Sequence, residues 1–248
     1  MLSSSDPCQN KLLAALPAGE LQRLLPFLEL VPMLSDAVLY ESGEQMRHLY
    51  FPTDAIVSLF YTMEDGASVE IAVVGNEGIV GLSLFMGGET TPSRAMVQSP
   101  GYAYRMKGQL LKDEFERAGP LQQLLLRYTQ ALLTQMAQRL VCNRLHSLDQ
   151  QFCRWLLQCF DHLPSNRLRM TQELIANVLG VRRGGVSEVA SNLQRAGLIS
   201  YRRGSITLLD RAGMEERVCE CYAVVRDEFE RLFPTQLRTQ VTTSLSEA

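Results

Sequence analysis

The stretch MTQELIANVLGVRRGGVSEVASNLQRAGLIS (170–200) decides how the rest of the chain is read. Thr171 can accept hydrogen bonds from the first turn of a helix expected over 171–179, with Leu174, Ile175 and Val178 apolar on one side. Gly180 supplies the left-handed residue that a tight inter-helix turn needs, and Val181 can bury in the angle between the helices. A second helix is expected over 182–195, with Val186, Val189, Ala190 and Leu193 facing inward. Two helices joined in this way form a helix-turn-helix, whose second helix is built to enter the major groove of DNA.

The outward positions of that helix are Arg182, Arg183, Gly184, Gly185, Ser187 and Glu188, and together with Thr171 they are the expected DNA contacts of the two helices. Arginine pairs bidentately with guanine, glutamate accepts from cytosine, and serine reaches a phosphate or a base. Each glycine costs about 1 kcal/mol relative to alanine inside a helix. Close approach of backbone to DNA accounts for that cost, and so does a helix that starts late. Beyond it, 198–203 and 206–209 read as a two-stranded wing turning at Gly204 and Ser205, with Arg202 and Arg203 at the tip. Between 165 and 211 eight arginines stand against three carboxylates, net +5, which is the footprint of phosphate contact. A winged helix used only for protein contact is the competing reading.

The chain as a whole has 248 residues and a net charge of −3, an average that hides a change of sign. Residues 1–136 hold nine Lys and Arg against fifteen Asp and Glu, whereas 137–248 hold fifteen against twelve. With 46% hydrophobic and 21% charged residues the chain can bury one large domain or two small ones. The cations are 21 Arg and 3 Lys; the guanidinium fork suits phosphates and guanine edges, although a GC-rich genome produces the same bias. No window approaches ~18 uninterrupted apolar residues. The start MLSSSDPCQNKLL lacks a basic segment followed by an apolar run, so neither a membrane span nor a secretory signal is expected. Six scattered cysteines (8, 142, 153, 159, 219 and 221) fit a reducing cytoplasm.

Residues 1–20 read as a frayed start, followed by a short helix over 20–28. From 38 to 106 short runs rich in β-branched and aromatic residues (55–62, 69–75, 95–99, 102–106), with a hairpin turn at Glu64-Asp65-Gly66, predict a small antiparallel barrel or jelly roll. After Gly108 the pattern becomes helical, with a break at Gly119-Pro120. Leu125, Tyr128, Leu132, Met136 and Leu140 recur at helical spacing, and Leu124, Leu126, Leu133, Ala137 and Val141 widen the stripe. A helix apolar on most sides must be covered on most sides, by its own β domain and by a second copy, so those five residues are expected at a dimer interface. A single buried core helix is the plainer alternative. Asp149 is expected to cap the next helix from Gln150, an amphipathic helix is expected over 214–233, and a polar tail follows. The predicted fold class is α+β: an effector-sensing β-roll over 1–118, a dimerisation helix and hinge over 119–147, and a winged helix-turn-helix with a helical extension over 148–248.

This order of elements over residues 25–211 resembles the CRP/FNR family of bacterial transcription regulators. Asn76-Glu77-Gly78-Ile79-Val80-Gly81-Leu82, then Phe85-Met86-Gly87-Gly88 and Arg94-Ala95-Met96-Val97, is similar to the stretch that forms the family's effector pocket. Leu148-Asp149 looks like its hinge, and Gly180-Val181-Arg182-Arg183 like the start of its recognition helix. The resemblance implies a cytoplasmic homodimer on a pseudo-palindromic double-stranded DNA operator, with RNA polymerase as a partner if it activates, and no membrane. It also implies an effector pocket of Ile79, Gly81, Leu82, Ser93, Arg94 and Ala95, joined by Cys142 and Asn143 of the dimer helix. Arg183 corresponds to the family arginine that reads guanine. Gly184 replaces a base-reading glutamate and Glu188 a second arginine, so a different operator is expected.

The departures bear on the cofactor. Cyclic-AMP-binding members carry a glutamate where Ile79 stands and an arginine where Ser93 stands, while Arg94 sits one place late and so on the opposite face of a strand. Cyclic AMP is therefore not expected, and Arg94 either binds another anion or pairs with Glu77 or Glu89. The iron–sulfur ligand set of oxygen-sensing members is absent, because Cys8 stands alone before Cys142. Haem stays open, with His48, His146 and His162 undistinguished. Cys219 and Cys221 on one helix would point about 200° apart, and Cys153 and Cys159 about 240°, so no metal site is expected. Cys142 is the cysteine at which a ligand or oxidant could act. No nucleophile with a base, carboxylate pair or phosphate loop is present, so no enzyme is expected. A small-molecule or redox sensor acting through protein partners is the alternative function.

Overall fold

The computed structural model describes residues 6–163 and 165–233; residues 1–5, Pro164 and the polar tail 234–248 lie outside the described residues. From Asp6 onward the start is not frayed. Short helices Lys11–Ala14 (α1) and Ala18–Leu24 (α2) pack on the β domain through buried Leu12, Leu13, Leu16 and Leu24. Asn10 anchors them: fully buried, it caps α1 and donates to the carbonyls of Pro52 (3.0 Å) and Gly78 (2.9 Å).

The β-roll is two antiparallel sheets. Glu29–Met33 (β1), Gly101–Lys107 and His48–Pro52 form one, and Val38–Tyr40 (β2), Arg94–Ser99, Ile56–Thr62 and Ser68–Val74 the other, each in that spatial order. In chain order the later strands are β3 (His48–Pro52), β4 (Ile56–Thr62), β5 (Ser68–Val74), β6 (Arg94–Ser99) and β7 (Gly101–Lys107). Leu49, Phe51, Val57, Val74, Val97 and Met106 fill the space between the sheets. The β4–β5 turn falls at Glu64-Asp65-Gly66, with Gly66 at φ 85°, where an L side chain is strained. The run β1 lies before the stretch that reads as β in the sequence; with Pro32 in it and only one residue buried, its signal is weak.

Helix Gly108–Glu116 (α3) leads into the long helix Pro120–Leu145 (α4). The expected dimer row is corrected here. Leu125, Tyr128 and Leu132 are buried in the chain's own β-roll core and Met136 packs against it, leaving only Leu140 outward. The outward apolar row is Leu126, Leu133 and Leu140, with Val141 and Leu145 beside it. With apolar residues on most of its sides, the helix carries little signal of which side its own sheet will cover.

Helix Leu148–His162 (α5) is capped by Ser147 rather than Asp149 and starts before Gln150. The Ser147 hydroxyl accepts from the Gln150 amide and the Gln150 side chain accepts from the Ser147 amide, a reciprocal capping box. Asp149 instead pairs with Arg217 at 2.7 Å. The remaining elements are β8 (Arg167–Arg169), α6 (Gln172–Leu179), α7 (Arg183–Arg195), β9 (Ile199–Arg202), β10 (Ser205–Leu208), α8 (Arg211–Arg217) and α9 (Cys221–Leu232). The single helix expected over 214–233 is thus two, broken where Val218 turns extended at ψ 156°. Cys219 lies in that break and Cys221 opens α9, so the angular argument for two cysteines on one helix does not apply. Helix α9 returns along α4, with Phe229 stacked edge-on to Tyr128 at 6.4 Å.

The winged unit docks on the β-roll, since Ile56, Phe60 and Val73 share one apolar cluster with Phe152, Trp155 and Val178. At the same junction Glu77 meets His162 at 2.7 Å and accepts from the Gly75 amide. Burial by itself would raise the Glu77 carboxyl, but His162 and the backbone donors outweigh it and hold it below the ordinary 4.5. A depressed folded-state value adds stability that is complete above the unfolded carboxylate range and lost as pH falls through the folded value. Thermal melts against pH should therefore show a stability decline below that range which Glu77→Gln flattens; identical acid limbs would refute the role.

Candidate nucleic-acid interface and sensor cavity

Thr171 caps α6, accepting from the Leu174 amide at 3.2 Å. The helix closes on Gly180 at φ 67°, with the Val181 amide donating to the Ala176 carbonyl at 2.9 Å. Helix α7 follows at once, burying Val186, Val189, Ala190 and Leu193 and exposing Arg182, Arg183, Gly184 and Glu188 at its leading end. Two positions differ from expectation. The Ser187 hydroxyl donates to Gln172 Oε1 at 2.6 Å and so ties the helices together instead of facing outward. A Cβ on Gly185 would lie 2.8 Å from Leu148 Cδ2, so this glycine lets α7 seat against α5, whereas Gly184 meets nothing.

In the wing, Arg203 (φ 50°) and Gly204 (φ 72°) occupy the two central turn positions, one residue earlier than the Gly204-Ser205 reading. Strand β8 adds a third member the sequence reading missed, although the alternation Arg167-Leu168-Arg169 is its signal. Arg169 lies opposite Ser205, which lies opposite Arg202, placing these residues on the face away from buried Leu168 and Ile206. Arg167, Arg169, Arg182, Arg183, Arg202 and Arg203 are exposed and, among the described residues, make no ion pair. Arg211 and Arg217, by contrast, are held by Asp161 (2.5 Å) and Asp149 (2.7 Å).

A cavity of about 650 Å³ opens between the β2-β6-β4-β5 sheet and α4. Ile79, Gly81, Leu82, Ser93 and Asn143 line it; Arg94, Ala95 and Cys142 do not. Arg94 turns away to Glu41 at 3.3 Å rather than to Glu77 or Glu89, Ala95 has no exposed surface in β6, and Cys142 packs toward Arg154 and Cys219. The lining also includes Tyr40, Tyr61, Thr91, Met136 and a buried ion pair, Glu70 with Arg139. Burial pushes the Tyr40 phenol up to about 12, so it faces the cavity as a neutral donor. Glu70 also accepts from Ser58, and Arg139 donates to the Val178 carbonyl of α6 at 3.0 Å. An acid inside the β-branched run 69–74 is the one hint of this pair in the sequence.

A β-roll joined by a long helix to a winged helix-turn-helix with an exposed basic face defines a class, that of DNA-binding transcription regulators. A sequence profile described as cyclic nucleotide-binding domain matches residues 31–118, and one described as Crp-like helix-turn-helix domain matches 150–217, together more than half of the chain. The chain belongs to the CRP/FNR family. Similar solved structures include FixK2 from Bradyrhizobium japonicum, 16% identical with TM-score 0.67, covering 77% of this chain and 98% of that one. A CRP-family transcriptional regulator from Thermus thermophilus, TTHB099, is 20% identical with TM-score 0.63 over 75% and 95%. The c-di-GMP responsive global regulator CLP of Xanthomonas campestris is 16% identical with TM-score 0.61 over 78% and 99%. No curated protein matches the chain. Among the described residues no helix is long and apolar enough to cross a membrane.

Proposed function

We propose that the chain is a cytoplasmic, homodimeric regulator that reads a pseudo-palindromic operator and takes its signal at the β-roll cavity. The observation that carries this reading is that Arg167, Arg169, Arg182, Arg183, Arg202 and Arg203, at the leading end of α7 and on the winged sheet, are exposed and, among the described residues, have no carboxylate partner. Unneutralised guanidinium groups on one face favour phosphate contact through counterion release. Two copies pair through Leu126, Leu133 and Leu140, which repeat every seven residues as a coiled-coil seam does and are 53%, 62% and 72% exposed in the single chain. Leu140 and Asn143 also border the cavity, so the second copy covers its mouth.

Ile79 and Ser93 offer neither the carboxylate nor the guanidinium that cyclic AMP would use, and the mainly apolar lining suits a different small ligand. Arg139 connects that lining to α6 through Val178, so a ligand that engages Glu70 or Arg139 biases the seating of the DNA-reading helices. Regulation is then a population shift between dimers that fit the operator and dimers that do not. RNA polymerase is the further partner of an activating form.

Selection of bound sequences from random duplex DNA, followed by salt titration, tests this. Enrichment of two related half-sites is expected, and absence of any sequence preference would overturn it in favour of a protein-contacting sensor. Arg183→Ala should relax discrimination at one base position by about 1 to 3 kcal/mol. Arg202→Ala should weaken all DNA alike and lower the salt slope by roughly one. Equal losses on selected and random DNA for both variants would refute the assignment.

A further inference from the structure

We propose that Cys142, His146, Cys219 and Cys221 form a tetrahedral site for a thiophilic divalent metal ion of the zinc class. His146 follows the last residue of α4 and its amide donates to the Cys142 carbonyl at 3.0 Å, so the two residues lie one turn apart at that helix end. The break between α8 and α9 brings Cys219 and Cys221 against it. All four ligand atoms lie within 4.8 Å of one another. Zinc bonds of about 2.3 Å to sulfur and 2.0 to 2.1 Å to nitrogen, at tetrahedral angles, place two sulfurs about 3.8 Å apart and sulfur and nitrogen about 3.5 Å apart. Cys142 Sγ and Cys219 Sγ are 3.6 Å apart, and Cys221 Sγ and His146 Nδ1 are 3.4 Å apart. A disulfide would need about 2.05 Å. These spacings suit an ion between the atoms.

The surroundings point the same way independently. Arg154, 1% exposed, donates through Nε to Cys142 Sγ at 3.2 Å and, among the described residues, has no carboxylate partner. An isolated buried guanidinium is costly. Three thiolates, a neutral imidazole and a dication sum to one negative charge, which balances it; the three S–H protons leave to solvent as the ion enters. Gln138 donates to Cys221 Sγ at 3.1 Å, and Glu220 sits 3.3 Å from His146 Nε2, leaving Nδ1 free to ligate. An ion here staples the segment after α8 to the end of α4, beside the break at 146–147 between α4 and α5, and so ties the DNA-reading unit to the long helix.

The test uses the full chain, reduced and stripped of metal, titrated with Co(II) and then Zn(II). One ion per chain is expected, with thiolate-to-cobalt charge transfer, tetrahedral d–d absorption displaced by zinc, and three protons released. Cys219→Ser and Cys221→Ser should lose the thiolate band pattern, whereas Cys8→Ser and Cys153→Ser retain it, with circular dichroism reporting the fold. Glu220→Gln should weaken affinity about 10- to 100-fold. Should stripping unfold the chain, native mass spectrometry of the same variants as purified reads metal retention instead. Folded wild type without a cobalt–thiolate spectrum, binding unchanged in the Cys219→Ser/Cys221→Ser variant, or a Cys142–Cys219 disulfide without metal uptake would each overturn the site. The readout involves no DNA, so its outcome is separate from operator binding.

Discussion

Arg139→Ala is expected to destabilise the fold by about 3 to 5 kcal/mol, because it leaves the Glu70 carboxylate charged and buried without its cation. Glu70 is 0% and Arg139 4% exposed, and the same guanidinium also satisfies the Val178 carbonyl, so truncation removes both polar contacts together. The cost lies in the stranded charge rather than in any large intrinsic worth of the pair. Removing both charges should therefore be far milder, and Glu70→Leu/Arg139→Met should recover most of the loss. Urea unfolding of the three proteins decides this; a single variant within about 1 kcal/mol of wild type would show that water reaches the pair. The double variant also tests signalling, since it keeps the cavity wall but cuts its polar link to α6. It should bind operator with a weakened response to ligand.

Leu133→Glu should abolish the proposed pairing of two copies while leaving the single chain folded. Leu133 is 62% exposed in one chain, so a carboxylate there costs little until a second copy approaches. Burying a leucine is worth about 1.5 to 3 kcal/mol, and two-fold symmetry makes each substitution act twice, so the dimer constant should rise by roughly two to four powers of ten. Operator affinity then falls from the specific range toward the non-specific micromolar range, because one protomer reads only one half-site. Light scattering against concentration and operator titration measure the two effects. Leu125→Glu makes the contrast: 1% exposed and packed in the β-roll core, it should unfold that core instead. An unchanged dimer mass for Leu133→Glu would move the interface elsewhere.

Much of the architecture was legible from short-range patterns. The helix-turn-helix is written in Thr171, Gly180 and the spacing of Val186, Val189 and Leu193, each a local requirement of caps, left-handed turns or helical period. The hairpin at Gly66 and the strands flanking it are equally local. What failed were readings in which two candidates satisfy the same local rule. Ser147 and Asp149 can both cap, and the reciprocal bond from Gln150 chooses Ser147. Gly184 and Gly185 look alike, and only the approach of Leu148 separates them.

From the sequence alone came the class of fold and the net positive charge of 165–211, because backbone geometry and charge act over a few residues. Tertiary structure alone decided which row of α4 faces outward, that Glu70 meets Arg139 across 69 residues, and that three cysteines and a histidine converge beside Arg154. Those outcomes depend on how packed elements compete for the same helix face and on where a break such as that at Val218 redirects the chain. A one-dimensional periodicity cannot encode either, since burial is assigned to a residue by its neighbours in space.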